Sequence, residues 1–153
     1  MPERPERVVL VGFMGAGKST IGRRLAKRLG FAFVDLDRRI EVRAGRKIAA
    51  IFQEQGEAAF RELELEESRA LASLTRVVVA TGGGAFAQDA TRNALQQGAF
   101  TVWLQCSLGT AQLPDRHSPI ERHHWRRLHR FERLIQRIDL FPRGARRCRR
   151  VEM

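Results

Sequence analysis

Short apolar runs alternate with amphipathic stretches along the first two thirds of the chain. Four runs rich in valine, leucine or phenylalanine have the length and composition of buried strands, and they occupy residues 8–11, 31–35, 76–80 and 100–104. After the first run, Ile21, Leu25 and Leu29 recur at intervals of four, which predicts a helix that ends at Gly30. Alternating strands and helices predict a parallel α/β sheet with right-handed crossovers.

Further helices are predicted between the later strands. Apolar residues on either side of Gly45 indicate short helices broken at that glycine. A helix from about residue 57 to 74 is predicted to bury one side, which consists of Phe60, Leu63, Ala70, Leu71 and Leu74. Residues 91–98 and 119–136 are each expected to form another helix.

The composition favours one intracellular domain. The 153 residues suit a single domain, 1–153, and 43% hydrophobic residues can fill one core. Cys106 and Cys148 are far apart and match no metal or redox spacing, which favours reduced thiols. No apolar run approaches the roughly 18 residues of a membrane span, and the first residues lack the apolar centre of a signal peptide. We therefore expect a cytoplasmic protein with no membrane partner.

The positive charge is concentrated near the end of the chain. The formal net charge is +11, and residues 116–150 contribute +9 of it through 12 arginines and three acidic residues. Such a block is typical either of a nucleic-acid-binding patch or of a solvated surface with a few arginines that bind an anionic substrate. We favour the second interpretation, because the segment has one tryptophan, no tyrosine and no nucleic-acid motif.

Residues 12–20, GFMGAGKST, form a phosphate-binding motif between the first strand and the first helix. The pattern G-x-x-x-x-G-K-[ST] lets backbone N–H groups and the helix N-terminus surround phosphate oxygens. Lys18 is predicted to reach the β- and γ-phosphates, and the Ser19 hydroxyl to bind Mg²⁺. The nucleotide-binding residues predicted here are Gly12, Gly15, Ala16, Gly17, Lys18, Ser19 and Thr20. The alternative is a glycine-rich turn with a surface lysine.

Three more motifs follow in order along the chain. They are FVDLD at residues 33–37, EAAFRE at residues 57–62 and ATGGGA at residues 80–85. Together with the phosphate-binding loop they closely resemble the shikimate kinase family of small P-loop kinases. The resemblance implies a three-layer α/β/α fold with a parallel sheet of about five strands. It also implies the use of ATP and Mg²⁺ to phosphorylate the 3-hydroxyl of shikimate, on the route to aromatic amino acids. We expect the chain to be a monomer.

The resemblance assigns roles to the two aspartates. Asp35 is expected to support Mg²⁺, and Asp37 to bind substrate hydroxyls and accept the proton of the attacking hydroxyl. We expect both side chains to point the same way, because side chains of a strand repeat every two residues. The alternative is an ordinary turn and helix cap.

The same resemblance assigns the acceptor side of the site. Arg61 matches the arginine that binds the shikimate carboxylate, a role that suits a planar guanidinium; the alternative is a surface pair with Glu64. Phe52 and Phe60 match an apolar wall beside the ring. The glycine turn consists of Gly82, Gly83 and Gly84, whose N–H groups are expected to approach substrate oxygens.

The pattern departs from the family after residue 104. The lid, at about residues 107–121, lacks the family's arginine that contacts the transferred phosphate, and Ser118 occupies its place. Arg116 is a candidate substitute for this catalytic arginine. Arg137 keeps the spacing of a second arginine for the substrate carboxylate.

The basic C-terminal segment, residues 122–153, is shorter than the family pattern. Residues 149–153 resemble the start of a fifth strand, which is expected to be incomplete, and the terminal helix has no counterpart. Exposed apolar surface, and with it self-association, is expected if that helix is missing. The residues favour an ATP-dependent shikimate kinase. A related binding module that has lost turnover is the alternative, and nucleic-acid binding ranks below both.

Overall fold

The structure, a computed structural model, describes residues 5–12, 14–105 and 148–152. Its elements in chain order are β1 (Arg7–Gly12), α1 (Lys18–Leu29), β2 (Ala32–Asp35), α2 (Leu36–Ala44), α3 (Ile48–Ala72), β3 (Val77–Ala80), a 3₁₀ turn (Ala85–Ala87), α4 (Asp89–Gln96), β4 (Phe100–Gln105) and β5 (Cys148–Glu152). The four strands and the helices predicted within these residues are therefore confirmed.

The strands form one parallel sheet in the order β2-β3-β1-β4-β5. In the central strand, Val9 pairs with Val79 on one side and with Thr101 on the other. The predicted fifth strand is present, because β5 pairs in parallel with β4 from Thr101 and Cys148 onward. The sheet order places the phosphate-binding motif at the carboxyl end of the middle strand.

Helices cover both faces of the sheet, which confirms the three-layer α/β/α fold. Alternate residues of β1 point to opposite faces, so Val8 and Leu10 pack with α1 whereas Val9 packs with α2, α3 and α4. These side chains are completely buried, and each contributes roughly 1.5–3 kcal/mol of hydrophobic stabilisation. The two clusters fix the helices that carry the candidate site.

Two glycines shape the first helix. Gly30 has a φ of 68° and its N–H group bonds to the carbonyls of Ala26 and Lys27, so it ends α1 as predicted. Gly22 faces the sheet, and a Cβ there would lie 2.4 Å from the ring of Phe33. Only a residue without a side chain lets α1 approach β2 this closely.

The helices around Gly45 also follow the prediction, with one addition. Gly45 ends α2 in the left-handed region. Within α3, Gly56 has φ 82° and ψ 175°, so the backbone breaks there and the part after it is the predicted helix from residue 57. α3 is therefore two helical halves in sequence.

The predicted buried side of α3 is partly wrong. Leu74 lies beyond the helix and is 39% exposed, and Ala70 is also exposed. Glu64, Glu67 and Ser68 are buried instead. Their polar groups have partners: Glu64 and Glu67 accept hydrogen bonds from arginines, and the Ser68 hydroxyl donates to the Glu64 carbonyl at 2.7 Å. The apolar pattern missed this face because paired polar groups occupy it.

A buried arginine joins the start of β1 to the ends of two helices. Arg7 donates to the carbonyls of Leu71 and Ala72 in α3, Leu74 just after it, and Gln97 after α4. Burial lowers the pKa of Arg7. A cation at helix C-termini is favourable because the carbonyls there carry partial negative charge.

Some predictions lie outside the described residues. These are the helix at 119–136, the lid at about 107–121 and most of the basic segment 122–153. Among the helices described, none is long and apolar enough to cross a membrane.

Candidate functional site

The phosphate-binding motif forms a turn from the end of β1 to the start of α1. Gly15 and Gly17 have φ values of 79° and 84°, in the left-handed region that favours glycine. Gly12 is tightly packed, and a Cβ there would lie 2.4 Å from the carbonyl oxygen of Leu104 in β4. These positions explain why the loop needs glycine: two set its path and the third lets it lie against the neighbouring strand.

The loop places positive groups at the helix N-terminus. Gly17 is the N-cap of α1, and as a glycine it offers no side chain to the first-turn N–H groups. The Lys18 ammonium lies over the loop and donates to the carbonyl of Gly12 at 2.7 Å. A helix N-terminus with an adjacent lysine is an arrangement that binds phosphate groups.

The two residues predicted to support the metal are in direct contact. The Ser19 hydroxyl donates to Asp35 Oδ2 at 2.7 Å. This hydroxyl–carboxylate set fits Mg²⁺, which prefers oxygen ligands and is usually held by one or two carboxylates together with substrate phosphates and water. Over the described ranges there is no group of three or more His, Cys, Asp and Glu side chains that could hold a metal ion. The oxygen pair thus fits a metal that arrives with a nucleotide.

Asp35 and Asp37 lie at the same cavity, but the reason given from the sequence was wrong. β2 ends at Asp35, and Asp37 belongs to the first turn of α2. Asp35 is the N-cap of that helix, and its carboxylate accepts a hydrogen bond from the Arg38 N–H group at 3.3 Å. Strand alternation therefore does not align the two carboxylates. The helix cap that the sequence offered as the alternative is real and coexists with the contact to Ser19.

Negative neighbours surround Asp37. Burial raises the pKa of Asp37, and the nearby carboxylates of Asp35, Glu64 and Glu41 raise it further, whereas the Lys18 ammonium lowers it. The net effect is upward. A carboxylate whose charge is disfavoured in this way is a stronger proton acceptor than an ordinary aspartate.

The glycine turn after β3 lies between Asp37 and Arg61. A Cβ on Gly82 would lie 2.6 Å from Asp37 Oδ1, and a Cβ on Gly84 would lie 3.0 Å from Arg61 Nη2. A Cβ on Gly83 would lie 3.5 Å from the backbone nitrogen of Met14 in the phosphate-binding loop. The turn consequently connects the acid, the arginine and the loop, and side chains at either end of it would displace a functional group.

Arg61 combines the role predicted for it with the proposed alternative. Its guanidinium pairs with Glu64 at 2.9 Å and with Glu57 at 3.2 Å, as an ordinary helix pair would. Glu64 is almost completely buried, so this pair is not a surface pair. The guanidinium also lies 5.3 Å from the centre of the Phe60 ring, which in turn contacts Phe52 at a ring separation of 4.8 Å. Arg61 is thus held beside the glycine turn by a carboxylate on one side and an aromatic ring on another.

One cavity brings these parts together. It has a volume of about 240 Å³. Its walls are formed by Met14, Gly15, Gly17, Lys18, Ser19, Thr20, Asp35, Asp37, Thr81, Gly82 and Gly83. Four more of the predicted residues lie beside the cavity: Gly12, Ala16, Arg61 and Gly84. Ala16 is buried within the loop, and the other three make the contacts described above. Arg116, Ser118 and Arg137 lie outside the described residues.

Two residues of the wall were not predicted from the sequence. Thr81 is buried, and its hydroxyl and N–H groups both donate to the Leu10 carbonyl, at 3.0 and 3.1 Å. The threonine thereby ties the glycine turn to β1, and its position directly before three glycines was the available signal. Met14 is 71% exposed at the rim and its position in the loop was its only signal.

A glycine-rich loop between the central strand of a parallel sheet and the following helix, with a carboxylate at the end of another strand of that sheet, defines a P-loop protein. The family model described as shikimate kinase matches residues 14–134. The chain belongs to the shikimate kinase family.

Similar proteins support this assignment. The chain is 48% identical over 106 residues to the shikimate kinase of Salinibacter ruber and 52% identical over 101 residues to that of Pseudomonas entomophila. These matches cover 69% and 66% of the chain but only 52% and 59% of the relatives. The chain therefore spans between half and two thirds of the length of these relatives.

Solved structures give the same result for the fold. A shikimate kinase from Acinetobacter baumannii in complex with shikimate superposes with a TM-score of 0.68 and 32% identity, covering 92% of this chain and 83% of that one. The shikimate kinase of Aquifex aeolicus superposes with a TM-score of 0.67 and 28% identity, covering 95% and 86%.

Proposed function

We propose that this chain is a shikimate kinase, which transfers the terminal phosphoryl group of ATP, bound with Mg²⁺, to the 3-hydroxyl of shikimate. The observation that carries the proposal is the shared cavity: the phosphate-binding loop forms one wall, and Asp37 with the glycine turn forms the other. Phosphoryl transfer needs little covalent chemistry from the protein, and it depends on positioning and charge neutralisation. Both requirements match the groups that line this cavity.

The phosphate-binding wall accounts for the nucleotide. The N-terminus of α1 and the Lys18 ammonium bind the phosphates, and Ser19 with Asp35 supplies oxygen ligands for Mg²⁺. When bound, the metal ion neutralises charge on the phosphates. Lys18 neutralises part of the charge that develops on the transferred group.

The opposite wall accounts for the acceptor. Arg61 binds a carboxylate through its planar guanidinium, while Phe60 and Phe52 provide apolar surface for a ring. We assign Arg137 a second contact with the same carboxylate. Asp37 orients the acceptor hydroxyl and takes its proton as the new oxygen–phosphorus bond forms and ADP leaves. Its raised pKa suits this step, because a stronger base accepts the proton more readily.

A coupled assay of ADP release with shikimate and Mg·ATP tests the proposal. Lys18→Ala is expected to lower kcat/KM by roughly a factor of 100 to 1,000, because a preorganised charge-stabilising group is lost. Lys27→Ala is the matched control, since Lys27 is exposed on the same helix. A neutral analogue of shikimate without the carboxylate should bind more weakly than shikimate, and equal binding would contradict the assignment of Arg61.

The replacement of the family's lid arginine by Ser118 is tested with separate variants. We assign Arg116 the contact with the transferred phosphate that the family gives to the arginine replaced by Ser118. Arg116→Ala should then lower kcat with little change in nucleotide affinity. If the wild type is silent and Ser118→Arg restores turnover, the native chain is a binding module instead of an enzyme. Failure of the wild type to bind ATP or ADP in magnesium buffer would refute both readings.

A further inference from the structure

A buried carboxylate joins α2 to α3 outside the lining of the cavity. Glu67 of α3 has a side chain that is only 4% exposed. Its Oε1 atom accepts from Arg43 Nη1 at 2.6 Å, and its Oε2 atom accepts from Arg39 Nε. Arg43 also pairs with Glu66 at 2.6 Å, although that carboxylate is half exposed. Each oxygen of Glu67 therefore accepts a hydrogen bond from a different arginine, and these two arginines are one helical turn apart on α2.

The contact adds directional bonds to the apolar packing of the two helices. Leu36 and Ile40 of α2 pack in the same apolar cluster as Phe60 and Leu71 of α3. Apolar contact is non-directional, so it holds the helices together without fixing how far one lies along the other. Charge-assisted hydrogen bonds from two arginines to one carboxylate do fix this register.

Each helix carries one of the proposed acceptor-binding groups close to the ion pair. Arg39 follows Asp37 by two residues, and Glu67 follows Arg61 by six residues, roughly 9 Å along the helix. Asp37 contacts one end of the glycine turn and Arg61 contacts the other. A shift of α2 along α3 would thus move the proton acceptor relative to the group that binds the carboxylate.

Burial gives the pair its importance. An ionised carboxylate with so little exposure is costly unless it is paired, and loss of one partner leaves an uncompensated charge. Burial raises the pKa of Glu67, but the hydrogen bonds from Arg43 and Arg39 outweigh it, and the net shift of the pKa is downward. Glu67 is consequently ionised at neutral pH.

We propose that Glu67 is a positioning residue: held by Arg39 and Arg43, it sets the register of α2 on α3 and thereby the separation of Asp37 from Arg61. This role rests on the proposed function, because it concerns the placement of the shikimate-binding groups. It predicts a larger effect on the acceptor than on the nucleotide. The phosphate-binding loop belongs to β1 and α1, and α2 reaches the nucleotide side through its N-cap Asp35, which bonds to Ser19.

Steady-state kinetics test the proposal with Glu67→Ala, Arg39→Ala and the double variant. Glu67→Ala is expected to raise the KM for shikimate roughly tenfold, because small displacements of positioned groups are costly, while the KM for ATP stays within about twofold. The double variant should be no worse than Glu67→Ala, because the two residues act as one unit. Glu67→Gln keeps an acceptor for one arginine, and its effect should be intermediate.

Glu54→Ala is the matched control. Glu54 lies in the first half of α3, and the substitution breaks its exposed ion pair with Arg46. It should leave both KM values unchanged. Equal changes in the KM for shikimate and for ATP in Glu67→Ala, or simple addition of the two single effects, would overturn the proposal, because either result indicates general loosening of the fold.

Amide hydrogen exchange separates this proposal from the proposed function. In Glu67→Ala, exchange within residues 36–44 should accelerate about tenfold, whereas exchange in α1 should not change. If the wild type fails to phosphorylate shikimate, the proposed function is wrong, and the exchange result alone decides whether Glu67 sets the register. Unchanged exchange in residues 36–44 would show that it does not.

Discussion

On one side of the cavity the phosphate-binding loop is held by its backbone, whereas on the other side charged side chains add to the apolar packing that holds α2 and α3. The loop depends on Gly12 against the Leu104 carbonyl and on α1, whose sheet-facing residues form an apolar cluster. The α2–α3 side contains Glu64 and Glu67, two buried carboxylates with arginine partners.

The difference matches the ligands proposed for each side. Phosphates are bound by many N–H groups of similar direction, which a glycine-rich backbone can supply whatever the nearby side chains are. A small hydroxy acid needs a few side chains at defined separations, and these must be positioned by other side chains. We therefore expect substitutions on the two sides to affect different ligands.

The largest effect is expected for Asp37→Asn. Loss of the proton acceptor should lower kcat by a factor of about 1,000, within the range of general-base catalysis, while nucleotide affinity stays nearly constant. The thermal stability of the variant should increase. Because the pKa of Asp37 is raised in the folded state, its ionisation destabilises the fold as the pH rises above the ordinary range of an aspartate, and asparagine removes this cost.

Coupled kinetics and thermal unfolding at neutral pH measure both effects. Asp89→Asn is the control, because Asp89 is an exposed residue in the first turn of α4. A fall in thermal stability of Asp37→Asn at neutral pH would show that the carboxylate is stabilised in the fold, contrary to its surroundings.

Gly12→Ala is expected to have a smaller effect, which is confined to the nucleotide. The new methyl group would meet the Leu104 carbonyl oxygen at 2.4 Å, so the loop must move away from β4. Nucleotide affinity measured by calorimetry should fall about 100-fold, since displaced donors lose several charge-assisted hydrogen bonds.

Gly83→Ala provides the comparison for this variant. Its Cβ would make only an ordinary contact, 3.5 Å from the Met14 nitrogen, and nucleotide affinity should change by about twofold or less. Similar losses in the two variants would mean that the packing of Gly12 is not what shapes the loop.

The smallest effect is a change in pH dependence for Glu64→Gln. Glu64 is one of the carboxylates that raise the pKa of Asp37, so its neutralisation should lower that pKa towards the ordinary value. The acid limb of kcat/KM, where Asp37 becomes protonated, should then move to lower pH. Glu57→Gln is the control, because Glu57 also pairs with Arg61 but is not among the causes of the shift. If the acid limb stays in place, protonation of Asp37 is not its cause.

The fold could be predicted closely from the sequence because its determinants are local. Each buried strand is a short apolar run, and Gly30 and Gly45 end helices through their own conformational freedom. The apolar side of α3 was mispredicted because Glu64 and Glu67 are buried by means of partners from other positions. A charged residue is assigned to the surface by its type, and only the structure shows that partly exposed arginines bind these buried carboxylates.

The site was predictable in its residues and less so in its geometry. The phosphate-binding motif fixes Lys18 and Ser19 by spacing alone. Asp35 and Asp37 were expected on one strand, whereas the chain enters α2 between them, and the helix cap formed by Asp35 causes this early turn. Thr81 was missed because its role is a contact with Leu10, 71 residues away in sequence.

Arg7 has a consequence for the order in which the molecule assembles. Its guanidinium contacts carbonyls of residues 71, 72, 74 and 97, so the middle strand of the sheet acquires its anchors only when most of the sheet-forming sequence exists. During synthesis on the ribosome, we expect the first strand to stay without a stable partner until that point. Contacts this distant in sequence slow folding, because a long loop must close before they form.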